Sequence, residues 1–168
     1  MDVLLTLTAI IQSLAISLGL GASTLAIVNF FVALADGTID QHERKMMQVV
    51  YIVLRVAMIV ILCTALILAL CNIVVLKLYP TAFIYAQWSA IAMLFLNAFL
   101  MSKHMISSSF GPALQAGSWY TLGILLSLLA LNLHSFSYLQ FVVGYIAALA
   151  LSIALVNGTM TLLEKRRV

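Results

Sequence analysis

Charge is the scarcest feature of this chain: Asp, Glu, Lys and Arg together make up 8% of its 168 residues, against roughly 25% in an ordinary soluble domain. The few charges stand at the ends of long apolar runs, and the runs themselves hold no Asp or Glu. A carboxylate proton relay of the kind used by many pumps therefore has no residues to run on. No basic tract is long enough to follow a phosphate backbone, so nucleic acid is excluded as a partner. The two cysteines, Cys63 and Cys71, share one apolar run. On a helix they stand about 12 Å apart along the axis, too far for a bridge to each other, and they read as small apolar core residues. Catalytic signatures are missing too: no nucleophile elbow, no Cys-x-x-Cys, no His-Glu-x-x-His and no phosphate loop. Ser107–Ser109 lie near His104 but have no orienting acid beside them. No enzyme activity and no cofactor is expected.

Apolar residues dominate instead. They form 65% of the chain, and the mean hydropathy is +1.20. A soluble fold of this size cannot hide so much apolar surface, so the surplus must face lipid. One span takes about 20 residues across a 30 Å hydrocarbon layer. The chain then reads as an all-α integral membrane protein, a five-helix transmembrane bundle with a long first helical hairpin. Residues 1–168 form one transmembrane domain with spans at about 3–35, 46–79, 82–102, 112–131 and 136–163. Met1-Asp2 lacks the basic region of a signal peptide, so the first segment is expected to be a permanent span.

That first segment is longer than one span needs and carries Gly19 and Gly21 near its middle. Each glycine weakens a helix by about 1 kcal/mol relative to alanine. Three arrangements compete: one long tilted helix, a helix kinked at the glycines, and two half-helices meeting inside the membrane. The polar knot from Ala35 to Lys45 follows. Asp36-Gly37 supplies a helix stop, and Asp40 and Glu43 have capping-box spacing for the next helix. Pro112 suits the first turn of the fourth helix, and Asn132 to Ser135 make a short turn before the fifth.

Lys and Arg set the expected orientation. Arg44, Lys45 and Arg55 gather around the first loop, Lys103 at the third, and Lys165, Arg166 and Arg167 at the tail, whereas the second loop has only Lys77 and the fourth has none. The first loop, third loop and C-terminus are expected on the cytoplasmic side and the N-terminus outside, in the cytoplasmic membrane of a prokaryote. Aromatic residues fall near the expected borders, among them Tyr85 and Tyr138 on the outer side and Phe110, Trp119 and Tyr120 toward the inner side.

The stretch Asp36-Gly37-Thr38-Ile39-Asp40-Gln41-His42-Glu43 resembles the second half of an EF-hand calcium loop. Its first two ligand positions would fall on Val32 and Leu34, which cannot bind calcium. The pattern Ala-Asp-Gly-x-Ile-x-x-x-Glu is also similar to the interhelical turn of TerB-like tellurite-resistance domains. Either resemblance covers the turn alone. Within the spans, Gln12, Ser13, Asn29, Asn72, Gln87, Asn97, Gln115 and Asn157 read as interhelical glue or as the lining of a polar path. Small residues at fourfold spacing, Gly144/Ala148/Ser152 and Ala150/Ala154/Gly158, give the fifth segment two faces for close contact, one suited to a second copy of the chain.

Three functions follow as expectations. The first is a transporter or channel-like protein for a small solute or ion. Its path would use Ser17, Gly19, Gly21, Ser23, Thr24, Asn29, Arg55, Asn97 and His104, and it would work as a homo-oligomer in the bilayer. The second is a non-enzymatic assembly protein that docks a cytoplasmic or membrane partner through Asp36, Asp40, His42 and Glu43 of the 36–45 hairpin. The third is a membrane haem or metal redox protein using His42 and His104, although no metal site is assigned.

Overall fold

The computed structural model describes residues 2–36, 40–71, 81–103, 105–106, 110–133 and 135–165. They form five helices: α1 Asp2–Asp36, α2 Gln41–Cys71, α3 Thr81–Ser102, α4 Gly111–Ala130 and α5 Tyr138–Lys165. Among the described residues there is no strand, and all five helices are long and apolar enough to cross a membrane. The second helix is described only to Cys71, so its expected end at Tyr79-Pro80 lies outside the described residues.

Local chemistry sets the helix ends. At α2 the Glu43 carboxylate reaches back to the Asp40 N–H at 3.0 Å, while Asp40 Oδ1 accepts the Gln41 N–H at 2.6 Å. This reciprocal cap satisfies donors that have no partner inside the helix. The fifth helix starts at Tyr138, later than the spacing of apolar residues alone predicts, because Ser137 and Gln140 form a second capping box: Ser137 N–H to Gln140 Oε1 at 2.8 Å, and Gln140 N–H to Ser137 Oγ at 3.2 Å. α4 closes in a Schellman turn. Asn132 takes the left-handed conformation at φ 57°, the Leu133 N–H reaches Leu128 O at 2.8 Å, and the Asn132 N–H reaches Leu129 O at 3.1 Å.

α1 is one helix through both glycines. Its buried face runs Thr8, Gln12, Ala15, Gly19, Ala22 and Asn29, in steps of three and four with one gap filled by half-buried Ala26. α2 answers with Val50, Leu54, Ala57, Ile61 and Thr64 at the same spacing. This is the knobs-into-holes seam of two closely aligned helices. In lipid, apolar side chains gain nothing by leaving tails for a neighbouring helix, so small and hydroxylic faces that pack closely are the ones that turn inward.

α1 packs on α2 and α4, and α3 packs on α4 and α2. These four helices form a ring in which α2 and α4 face each other with no close backbone approach among the described residues. α5 lies outside, mainly along α4, where Gly117 leaves room for it: a Cβ there would stand 2.9 Å from Leu149 Cδ2 and Ser152 Oγ. The Ser118 and Tyr145 hydroxyls join the same two helices at 2.7 Å. Thus Ser152 of the Gly144/Ala148/Ser152 face meets the bundle, while Ala150, Ala154 and Gly158 are exposed.

Trp119 departs from its expected place near a membrane border. It is fully buried, and its indole rests on the backbone of Gly19, where a Cβ would collide with the six-membered ring. Gly21 has open space around it. Gly19→Ala is therefore expected to destabilise the fold by about 1–3 kcal/mol through overpacking. Gly21→Ala is expected to be neutral or to stabilise by up to about 1 kcal/mol through helix propensity. Unfolding titrations of both variants in mixed micelles check the contrast.

Candidate functional site

Because α2 and α4 stay apart, the ring encloses space along its axis. At the end where α1 hands over to α2, a cleft of about 240 Å³ opens between the four helices. Ser23 of α1, Tyr51 and Arg55 of α2, Ser102 of α3, and Gln115 of α4 supply its polar wall. Leu54, Met58, Ala98 and Met101 are among its apolar lining. At the opposite end a smaller pocket of about 70 Å³ lies between the same four helices, with Gln12, Ser13 and Gln87 among its lining.

Between the two, each ring helix contributes a buried segment. These are Gly19 and Ala22 of α1, Ile61 of α2, Ile91 and Leu94 of α3, and Trp119 of α4. Ile61, Leu94 and Trp119 have no exposed surface at all. From Ile16, which lines the far pocket, to Ser23 in the cleft, α1 advances seven residues. The plug is therefore about 10 Å thick.

A polar pair braces the cleft. Asn97 Nδ2 donates to Gln115 Oε1 and to Gly111 O, each at 3.0 Å, joining α3 to the start of α4. Gln115 Nε2 then reaches Met58 Sδ across the ring at 3.6 Å, a soft contact between α4 and α2. Asn97 Oδ1 is buried without a hydrogen-bond partner among the described residues, as are Trp119 Nε1 and Asn29 Nδ2. Ser23 and Ser102 donate to their own helix at Leu20 O and Phe99 O. With those two hydroxyls donating elsewhere, Arg55, Tyr51 and the Gln115 amide are the donors on the described wall of the cleft. No acidic residue lines the cleft.

The residues singled out in the sequence fall in different places. Ser23 and Arg55 meet in the cleft, and Asn97 stands directly behind Gln115. Gly19 seats Trp119, and Gly21 faces outward. Ser17 lies in a lipid-facing groove between α1 and α4. Thr24 is exposed and shares a 2.8 Å hydrogen bond with the Tyr120 hydroxyl. Asn29 is buried on the α1 seam, away from the described cavities. His104 lies outside the described residues, as do Gly37, Thr38 and Ile39 of the turn. Helix α1 continues to Asp36, so Val32 and Leu34 are helical and the likeness to a calcium loop ends at the turn. Asp40 and His42 are exposed, and Glu43 is held in the α2 cap. Among the described residues no three His, Cys, Asp or Glu side chains gather closely enough to hold a metal ion.

Tyr51, Gln115 and Trp119 join the site on structural grounds. Gln115 is visible in the sequence as an amide inside an apolar run, but nothing in the sequence separates Trp119 from an interfacial aromatic. No family matches the chain, and no curated protein or solved structure is similar to it.

Removing the Asn97–Gln115 bond tests the brace. In a double-mutant cycle of Asn97→Leu and Gln115→Leu, a coupling energy of about 0.6 kcal/mol, and no more than about 1.7, is expected from unfolding midpoints.

Proposed function

We propose that this chain is a non-enzymatic membrane transport protein for a small polar solute. Its path follows the axis of the α1–α4 ring, from the cleft at Arg55, past Trp119, to the pocket at Gln12 and Gln87. One observation supports this reading above the rest: two polar-edged cavities lie on one axis, between the same four helices, separated by a single apolar plug about 10 Å thick. Arrangements with a site closed off from one side suit alternating access, in which packed helices shift to open one mouth and then the other. The glycine at position 19 fits the reading as the seat of the plug rather than as an opening.

In this reading the Arg55 cleft faces the cytoplasm, because the basic residues of the first and third loops belong on that side. The cytoplasmic membrane of a prokaryote is the proposed setting. The exposed Ala150/Ala154/Gly158 stripe of α5 is the proposed contact between copies in a homo-oligomer.

A second reading rests on the hairpin. Gln41, His42, Arg44 and Lys45 are all exposed at the start of α2, while the Asp40 and Glu43 carboxylates are committed to the cap. A polar knob held rigidly on a long helix suits docking of an acidic cytoplasmic partner. Reversing Arg44 and Lys45 to Glu would release such a partner from the purified complex and leave solute flux unchanged.

The plug tests the first reading without knowledge of the substrate. Trp119→Ala removes the largest side chain between the cavities and is expected to cost about 3–5 kcal/mol of stability. Sealed phosphatidylcholine vesicles carrying this variant are expected to leak glycerol and urea faster than wild-type vesicles in stopped-flow light scattering. Trp119→Leu, a smaller truncation, should fall between them. Vesicles of both folded variants that are no leakier than protein-free vesicles would overturn the transport reading.

A further inference from the structure

We propose that the Arg55 cleft binds an oxyanion, phosphate or carboxylate, carried on a short apolar chain. The inference rests on the reading that this cleft is the solute-binding half of the path, and it names the class of solute.

Among the described residues the cleft wall holds one full positive charge and no acid. Arg55 has no ion pair or hydrogen bond among the described residues, and the first turns of its own helix place Glu43 twelve residues away, about 18 Å along the axis. Arg55 is exposed, so water can solvate its guanidinium, and an anionic ligand can replace that water with a charge partner. Its planar donors match the two oxygens of a carboxylate or phosphate in a forked pair of hydrogen bonds.

The neighbours extend the match. The Tyr51 hydroxyl, one helical turn before Arg55, and the Gln115 amide opposite add uncharged donors. Gln115 is buried, and its N–H group has only the Met58 sulfur, a weak acceptor, at 3.6 Å. An oxyanion oxygen in its place would be a far better partner. Pro112 brings the first turn of α4 to the same wall, and the positive end of that helix, where Phe110 provides no side-chain cap, adds to the attraction. Apart from these donors and the Ser23 and Ser102 hydroxyls, the wall is apolar, with Leu54, Met58, Ala98 and Met101. A bare inorganic ion would leave that surface in contact with water, whereas a short alkyl chain covers it. The cleft volume of about 240 Å³ has room for a head group and a few carbons.

One chemistry can arrive from two sources: a water-soluble organic acid or phosphate ester, and the head of an anionic lipid entering from the membrane side. Binding of butyl phosphate to the full chain in phosphatidylcholine nanodiscs distinguishes them, measured by saturation-transfer NMR with butanol and inorganic phosphate as controls. Wild type is expected to bind butyl phosphate, and Arg55→Gln to bind it at least roughly tenfold more weakly. Butanol should fail in both. If butyl phosphate does not bind, native mass spectrometry in neutral detergent after mixing with phosphatidylglycerol reads the lipid source, with lipid retained by wild type and lost in Arg55→Gln. Arg55→Lys, which keeps the charge without the fork, should recover part of the affinity and confirms that the variants fold. Equal binding by wild type and Arg55→Gln, or no binding of either probe, overturns the proposal. Leakage through Trp119→Ala vesicles is read separately. Leak without anion binding removes the ligand class and spares the path, and anion binding without leak does the reverse.

Discussion

The seating of the Trp119 indole on the bare backbone of Gly19 sets how closely α4 can approach α1, and the ring geometry follows from that distance. In a bilayer the interior of a bundle is no drier or more apolar than its surroundings, so helices are held by contact area and by hydrogen bonds that lipid cannot replace. A glycine opposite the largest side chain in the chain gives the most contact for the least backbone separation. The same device recurs at lower amplitude where Gly117 receives Leu149 and Ser152, and where Gly123 meets Leu20. What these contacts leave unsatisfied is informative. The Trp119 N–H is buried with no partner among the described residues, at a cost of roughly 1–3 kcal/mol.

Hydrogen bonding between helices is sparse and follows one pattern. Most Ser and Thr hydroxyls donate to carbonyls of their own helix, as at Thr8, Ser13, Thr64, Thr121 and Ser152, and so contribute nothing across the interface. Three of the hydroxyls that back-bond in this way also meet a tyrosine: Thr24 with Tyr120, Ser89 with Tyr138 and Ser118 with Tyr145, at 2.7–2.8 Å. These pairs tie α1 to α4, α3 to α5 and α4 to α5. None of them holds α2, whose only polar side-chain contact with α4 among the described residues is the soft Gln115–Met58 pair in the cleft wall.

The number and order of the helices among the described residues were legible from composition, because an apolar helix of spanning length announces itself by length and hydropathy. Asp40 and Glu43 announced the start of α2 in the same direct way. The site was only half legible. Polar residues inside apolar runs marked Gln12, Gln87, Asn97 and Gln115, and Arg55 stood out as a charge beside a span. Gly19 and Gly21 looked alike and proved opposite, since a glycine's role depends on what faces it. Trp119 looked like a border aromatic, for its depth is a property of the partner helix and not of its own neighbours in sequence. Ser137 and Gln140 are an ordinary pair of polar residues in the sequence, and only the structure shows the cap they form at the start of α5.

Arg55 shows why sequence and structure must be read together here. From the sequence it stands just before the apolar core of α2, at a depth where a long side chain can reach the head groups by extending along the helix. In the fold the same position lies on the wall of a cleft, beside Tyr51 and across from Gln115. The two placements do not conflict. A guanidinium at the membrane border is cheap to hold when water or anionic heads are within reach, and costly only deeper. Arg55 is exposed there, so its head stays within reach of water. Behind it the wall turns apolar within one helical turn, and the plug begins. Arg55 is the one charged residue on the described wall of the cleft, and it stands where water can reach it, so the protein buries no uncompensated ion there.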